Sequence, residues 1–221
     1  MIYSPFGLLF LLLLLVLALL VFVVEVRVLA YAYRKIGIRP RYVFAVLLLS
    51  LLGSHVNIPL YRVPVARVVP PRAVSAYGWT YVVPPTVERD VTVVAINVGG
   101  ALLPVLLSLY LLIRTRMYGR MLVGTVIVAA IVHPMARVVP GVGIALPIFV
   151  PPLIAAGVAL VLSRRRAPPL AYVAGCMGTL IGADLLNLGE VARLGAPVVS
   201  IGGAGTFDGI FLTGIIAGLL A

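Results

Sequence analysis

The chain has 221 residues, of which 63% are hydrophobic and 10% charged, and its formal net charge is +11. So little polar material cannot cover the surface of a water-soluble domain, so the composition excludes a soluble enzyme or binding module and points to an integral membrane protein. The bases sit mostly in short loops between apolar runs, which is a topology pattern rather than a nucleic-acid surface, and a single cysteine excludes an internal disulfide.

Runs of roughly 20 apolar residues mark membrane crossings, and the chain holds about seven. The first extends from Pro5 to about Arg27 and continues as helix to Tyr33. It lacks a basic leader and a small-residue cleavage site, so it reads as a retained span rather than a signal peptide. The second covers Tyr42 to Ile58. Between it and the third lies the loop Tyr61 to Asp90, where two Val- and Tyr-rich runs each close on Pro-Pro. This predicts a small β-hairpin on the outer face, with Tyr77, Trp79 and Tyr81 at headgroup level. The remaining spans are Val91 to Ile113, Met121 to Val132 (reaching Met135), Val142 to Leu162, Pro169 to Leu188 and Thr206 to Leu220. The expected fold is all-α: one integral-membrane domain, 1–221, a polytopic helix bundle with the 61–90 hairpin inserted between spans two and three.

Orientation follows from the bases. With the N-terminus outside, the inner loops hold Arg27, Arg34, Lys35, Arg39, Arg41, Arg114, Arg116, Arg120 and Arg164 to Arg166, and fewer bases remain outside. The positive-inside rule therefore predicts a multi-pass protein of the cell membrane with a cytoplasmic C-terminus. The Arg114–Arg120 and Arg164–Arg166 clusters read as topology anchors that touch anionic lipid. A phrase recurs after the even spans: Val65-Ala-Arg-Val-Val-Pro-Pro, Met135-Ala-Arg-Val-Val-Pro-Gly and Val191-Ala-Arg-Leu-Gly-Ala-Pro. It is either the trace of three two-helix repeats or the coincidence of a Val-, Ala- and Gly-rich composition.

The rare polar residues gather at one side. On this topology His55 and Asn57 close the second span, Asn97 opens the third, His133 closes the fourth, Asp184 and Asn187 close the sixth, and Asp208 opens the seventh. A carboxylate in or near lipid is expensive unless paired, protonated or wet, so Asp184 and Asp208 mark the candidate site. Close approach would make them share a proton. The alternatives are that Asp208 stabilises its own helix N-terminus and that Asp184 bonds Asn187 or a backbone group. Ala171, Gly175, Gly178 and Gly182, with Gly205, Gly209 and Thr213, form small-residue stripes that let helices pack closely. Asn97-Val-Gly-Gly-Ala-Leu-Leu-Pro104 and Val142 to Pro152 are poor continuous helices, and broken backbone at membrane depth lines protein or water. His55, His133 and the aspartates are possible metal-ligand types, but their dispersal gives no metal-site spacing, and neither a metal nor a cofactor is expected.

The functional expectation is a small-solute or ion carrier. Asp184 and Asp208 bind a cation or proton, Asn97 and Asn187 orient the solute, and His133 and His55 complete the rim. The alternatives are an intramembrane aspartyl protease with catalytic Asp184 and Asp208, and a non-catalytic scaffold whose hairpin binds a partner. The expected partners are the lipid bilayer and a small solute or cation, with no nucleic acid.

Four phrases carry a resemblance: Asn97-Val-Gly-Gly-Ala-Leu-Leu-Pro, Pro140-Gly-Val-Gly-Ile-Ala-Leu-Pro, Gly178-Thr-Leu-Ile-Gly-Ala-Asp-Leu-Leu-Asn-Leu and Ser200-Ile-Gly-Gly-Ala-Gly-Thr-Phe-Asp-Gly-Ile-Phe-Leu-Thr-Gly. From Asn97 onward the chain resembles an uncharacterised family of archaeal and bacterial integral-membrane proteins, a domain of unknown function. The resemblance implies a polytopic fold and no known activity. A fainter likeness links the two aspartates to intramembrane aspartyl proteases. Against it, Phe207 rather than glycine precedes Asp208, and no Pro-Ala-Leu segment follows.

Overall fold

The computed structural model describes residues 5–69, 72–76, 79–83, 86–139, 143–190, 196–203 and 209–221; for residues 5–9, 66–90, 138 and 143 the backbone alone is described. Among the described residues the chain forms seven α-helices: α1 (Pro5–Ile36), α2 (Pro40–Gly53), α3 (Leu103–Thr115), α4 (Tyr118–Val132), α5 (Val150–Leu162), α6 (Ala167–Thr179) and α7 (Gly209–Leu220). With their π and 3-10 extensions, four helical stretches among the described residues are long and apolar enough to cross a membrane: Phe10–Ile36, Val98–Thr115, Tyr118–Met135 and Arg164–Glu190. The protein is thus built as a multi-pass membrane protein. The other three helices have 14, 13 and 12 residues. At 1.5 Å per residue they reach only about 18–21 Å, short of a hydrocarbon core of about 30 Å.

The expected spans lose length to β-structure. Strand β1 is Asn57–Val69, β2 Arg72–Ala76, β3 Trp79–Val83 and β4 Thr86–Asn97. Asn57 and Ile58, counted in the second span, therefore begin a strand, and Val91 to Asn97, counted in the third, end one. The fifth span likewise gives up Gly143–Ala145 to β6, which pairs with β5 (Arg137–Val139). Val, Ile and Thr dominate these stretches, and β-branched side chains favour extended backbone. Hydropathy scores such a run as it would a buried helix, so the expected span boundaries included residues that are strand.

The hairpin is also larger than expected. β1 and β4 pair antiparallel from Asn57↔Asn97 to Val69↔Thr86, with an irregularity between Pro59 and Tyr61. Proline has no N–H for the ladder, so a break there is natural. β2 and β3 form the tip. Strand β7 (Val198–Ile201) then pairs parallel with β4 over Val93↔Val198 to Ile96↔Ile201, and Thr92 Oγ1 donates to Ala196 O at 2.9 Å. The expected helix bundle with its inserted hairpin is present, and β7 extends the hairpin to a three-stranded sheet, β1-β4-β7. Tyr77 lies outside the described residues, as do the side chains of Trp79 and Tyr81.

Helix α6 is the centre of the bundle. Ten of its residues, including Leu170 to Cys176 and Gly178 to Thr179, are buried. Its glycines set how near the neighbours come. A methyl group on Gly178 would lie 2.6 Å from Val128 Cβ, and one on Gly182, just beyond α6, would lie 2.7 Å from Ala129 O, so α4 rides almost on the backbone. On another side, a methyl on Gly175 would lie 3.2 Å from Thr213 Cγ2 and 3.3 Å from Ala155 Cβ. Gly214 faces Cys176 and Tyr172, while Gly218 faces Ile36 and Pro168 O. Partner numbers fall along α6 as they rise along α7, so these two helices run antiparallel. Gly209 faces open space and is not part of the close seam, whereas Thr213 is buried.

The ends of the bundle differ. At one end Lys35 Nζ donates to Leu219 O at 2.7 Å, Arg114 Nη1 donates to Gly37 O, and Arg120 Nη1 donates to Ser163 Oγ at 3.3 Å. The cation of Lys35 thereby meets the carbonyl-rich end of α7, where helix partial charge is negative. Lys35→Met is expected to lower stability by about 1–2 kcal/mol. The buried Cys176, the one cysteine of the chain, reports this as earlier reaction with a thiol dye on heating.

Candidate functional site

The C-terminal end of α6 departs from α-geometry. Thr179 is followed by a π turn, Leu180–Asp184, and then a 3-10 stretch, Leu185–Glu190. The wide turn inserts a residue and redirects the backbone beyond it, a local feature common at functional positions. Three-residue spacing on a regular helix would place Asp184 and Asn187 side by side, whereas here a π turn and a 3-10 stretch meet between them.

Asp184 lines a cavity of about 280 Å³. Thr179, Ala183 and Asp184 form one wall, and Gly209, Ile210 and Thr213 of α7 another. Ile144 to Ile148 and Pro151, the segment between β6 and α5, supply the rest. One carboxylate oxygen, Oδ2, accepts the Gly202 N–H at 2.9 Å. That N–H is presented because Gly202 ends β7 in the left-handed region at φ +82°, packed on Ala101 so closely that a Cβ would lie 2.6 Å from Ala101 N. Glycine alone fits there. The sheet thus reaches into the bundle and orients the acid. Thr179 is 1% exposed, and its Oγ1 has no hydrogen-bond partner among the described residues. An acid and buried hydroxyl-bearing residues on an otherwise apolar wall are suited to hold a proton, a small cation or a small polar solute. A larger cavity of about 370 Å³ lies between α3, α4 and α6, lined by residues such as Leu109, Met121, Val173 and Met177, and it holds no carboxylate.

The other polar residues anticipated from the sequence fall in separate places. Asn187 Nδ2 donates to Ala183 O at 2.8 Å and to Gly182 O at 3.2 Å. His133 Nδ1 lies 3.1 Å from the same Gly182 O, so that nitrogen carries the proton. The two side chains are 3.5 Å apart and together tie the end of α4 to the 3-10 stretch. The π turn provides the carbonyls they use. Asn97 is 1% exposed and forms a third cluster. Its Nδ2 donates to Ser54 O at 2.7 Å and to Asn57 Oδ1 at 3.1 Å, and its Oδ1 accepts Gly100 N–H at 2.7 Å. Ser200 Oγ donates to Asn57 Oδ1 at 2.6 Å, so β1, β4 and β7 meet the start of the α3 segment at this point. His55 is exposed, with Nδ1 3.1 Å from Leu51 O and 3.2 Å from Ser54 Oγ. Asp208 lies outside the described residues, and with it the expected Asp184–Asp208 pairing. In the chain it directly precedes Gly209, which lines the cavity.

Sequence reasoning did not single out Thr179 or Gly202, and it read Thr213 only as part of a small-residue stripe. Threonines are unremarkable on a hydropathy scale, and only their shared burial beside Asp184 singles them out. Among the described residues no three His, Cys, Asp or Glu side chains converge as metal ligands would.

Residues 51–220 match the family described as Protein of unknown function (DUF1614). The chain is a DUF1614 protein. Within DUF1614 the match begins upstream of Asn97, where the four sequence phrases start, and takes in β1 to β4 as well as every cavity-lining residue. No curated protein and no solved structure matches the chain.

Proposed function

We propose that this DUF1614 protein carries a small solute or ion across the membrane, and that its site is the Asp184 cavity. The observation that carries this reading is a carboxylate on the wall of a cavity within an apolar bundle, with one oxygen oriented by the Gly202 N–H. An acid in an apolar bundle is expensive to keep, and one that also lines a cavity can bind a cation or proton there. A volume of about 280 Å³ suits a hydrated cation or a molecule of a few heavy atoms. Asp208, next to the cavity in sequence, is the proposed second acid. The clusters at Asn97 and at His133–Asn187 hold the surrounding backbone. The proposed topology places the N-terminus outside and the basic end in the cytoplasm, so the cavity faces outward.

The test is cation or proton uptake by purified protein in liposomes. Asp184→Asn is expected to reduce uptake to that of protein-free liposomes, and Asp208→Asn to weaken or abolish it. Wild-type protein that moves neither protons nor alkali cations, or an Asp184→Asn variant with unaltered flux, removes the carrier reading.

A further inference from the structure

The Asp184 cavity is one end of a buried row of hydroxyl and thiol groups. Tyr172, Cys176 and Thr179 are spaced by four and three residues, so they share one face of α6. That face meets α7: Gly214 faces Cys176 and the Tyr172 ring, and Cys176 Sγ lies 3.6 Å from Ile210 O. Thr179 heads the row at the cavity. Tyr172, fully buried, directs its hydroxyl toward Cys176 without a hydrogen bond at normal distance. Tyr33 of α1, also fully buried, directs its hydroxyl toward Ser50 of α2, again without one. Four buried side-chain oxygens lack a partner among the described residues; those of Thr179 and Tyr172 lie on this face of α6, and that of Tyr33 is near enough to Tyr172 to act on it electrostatically.

Buried polar groups in folded proteins are nearly always bonded. Several orphaned hydroxyls in one line share one requirement, and internal water is the partner that satisfies groups too far apart to reach each other. The spacing fits. Tyr172 and Thr179 are separated by about 10.5 Å along the helix axis. Three or four hydrogen-bonded groups at about 2.8 Å each cover that distance. The row also has a far end: Tyr33 lies one turn before the end of α1 at Ile36, beside the bases that bind Leu219 O and Gly37 O.

We propose that the ion taken by Asp184 is the proton, and that Thr179, Cys176, Tyr172 and Tyr33, with water between them, line its path to the basic end of the bundle. This rests on the carrier reading. The proton enters on a carboxylate oxygen of Asp184. At each later step an oxygen accepts a proton and its existing O–H bond breaks to release another, so no charge accumulates and nothing is oxidised or reduced. A metal cation needs a shell of several oxygen ligands throughout, whereas the row offers isolated hydroxyls between apolar walls. A proton needs only one acceptor at a time.

The experiment uses full-length protein in liposomes with a trapped pH-sensitive dye and an imposed potential. Tyr172→Phe, Tyr33→Phe and Thr179→Val remove hydroxyls of which two or more have no protein partner to lose, so the fold persists, checked by the protection of Cys176 from thiol reagent. Proton flux is expected to fall on the order of a hundredfold in Tyr172→Phe, the scale on which losing one proton-relaying group slows transfer. Modification of Asp184 by dicyclohexylcarbodiimide, which attacks a protonated carboxyl in apolar surroundings, is expected to stay at the wild-type level. Unchanged flux in Tyr172→Phe and Tyr33→Phe overturns the path. So does loss of both flux and Asp184 modification in a folded variant, because the hydroxyl then acts on the site itself. Wild-type protein that moves sodium and not protons overturns the proton assignment and leaves the carrier standing; protein that moves neither overturns both.

Discussion

Gly182→Leu is expected to prevent the bundle from closing. Even the first side-chain carbon would lie 2.7 Å from Ala129 O and 3.1 Å from Ala129 Cα. Those are backbone atoms of a helix and cannot turn aside as a flexible side chain would. The three further carbons of leucine must push α4 away from α6. That movement also pulls His133 and Asn187 from their shared acceptor, Gly182 O. Overpacking of this kind costs about 3 kcal/mol, a large part of the roughly 5–15 kcal/mol by which folded domains are stable. The readout is the temperature at which Cys176, 1% exposed in the fold, becomes reactive to a thiol dye in detergent. Gly157→Leu is the control. Gly157 has nothing within 4 Å of an added Cβ, so the same substitution there should leave that temperature unchanged or raise it slightly. Equal behaviour of the two variants would refute the close α4–α6 seam.

Asn97→Leu is expected to cost about 3–5 kcal/mol, because several buried groups lose their partner at once. Gly100 N–H and Ser54 O both depend on the Asn97 amide, and both residues are buried. Asn97→Asp separates the two halves of that role. A carboxylate still accepts Gly100 N–H as a helix cap. It also turns an acceptor toward Ser54 O and Asn57 Oδ1, which are acceptors themselves. Asp is therefore expected to destabilise as well, by less than Leu. The same Cys176 assay measures both. An Asp variant as stable as wild type would show that capping alone explains the residue, and that the joint between α2 and β4 does not depend on it.

Parts of the fold could be read in advance for clear physical reasons. The long apolar runs at Pro5 to Ile36 and Tyr118 to Met135 have one outcome in a membrane, where only internally bonded helix satisfies the backbone. The glycines at 175, 178 and 182 announced close packing because nothing else so small repeats on that face. The strands were harder to read. Val91-Thr-Val-Val-Ala-Ile has the hydropathy of a span, and only its pairing with β1 and β7 makes it a strand. Four residues of β7, Val198–Ile201, are too few to recognise without their partner.

The candidate site divides in the same way. Asp184 was visible as a charge among hydrocarbon, since composition alone makes that costly. Its nearest described ligand, the Gly202 N–H, lies 18 residues away and depends on a left-handed turn packed on Ala101. The separation of Asn187 from Asp184 came with a π turn, which rotates everything beyond Leu180 relative to a regular helix, and Asn97 stands apart because it ends β4 rather than opening a helical span.

Composition and residue order by themselves decided that this chain lives in a bilayer and which acid is out of place among hydrocarbon. Those are properties of single segments, set by transfer from water to lipid. Which apolar runs became strands, how near α4 and α7 approach α6, and what surrounds Asp184 were decided only by the tertiary structure. Pairing and packing depend on atoms far apart in the chain, and their energies exist only once those atoms meet.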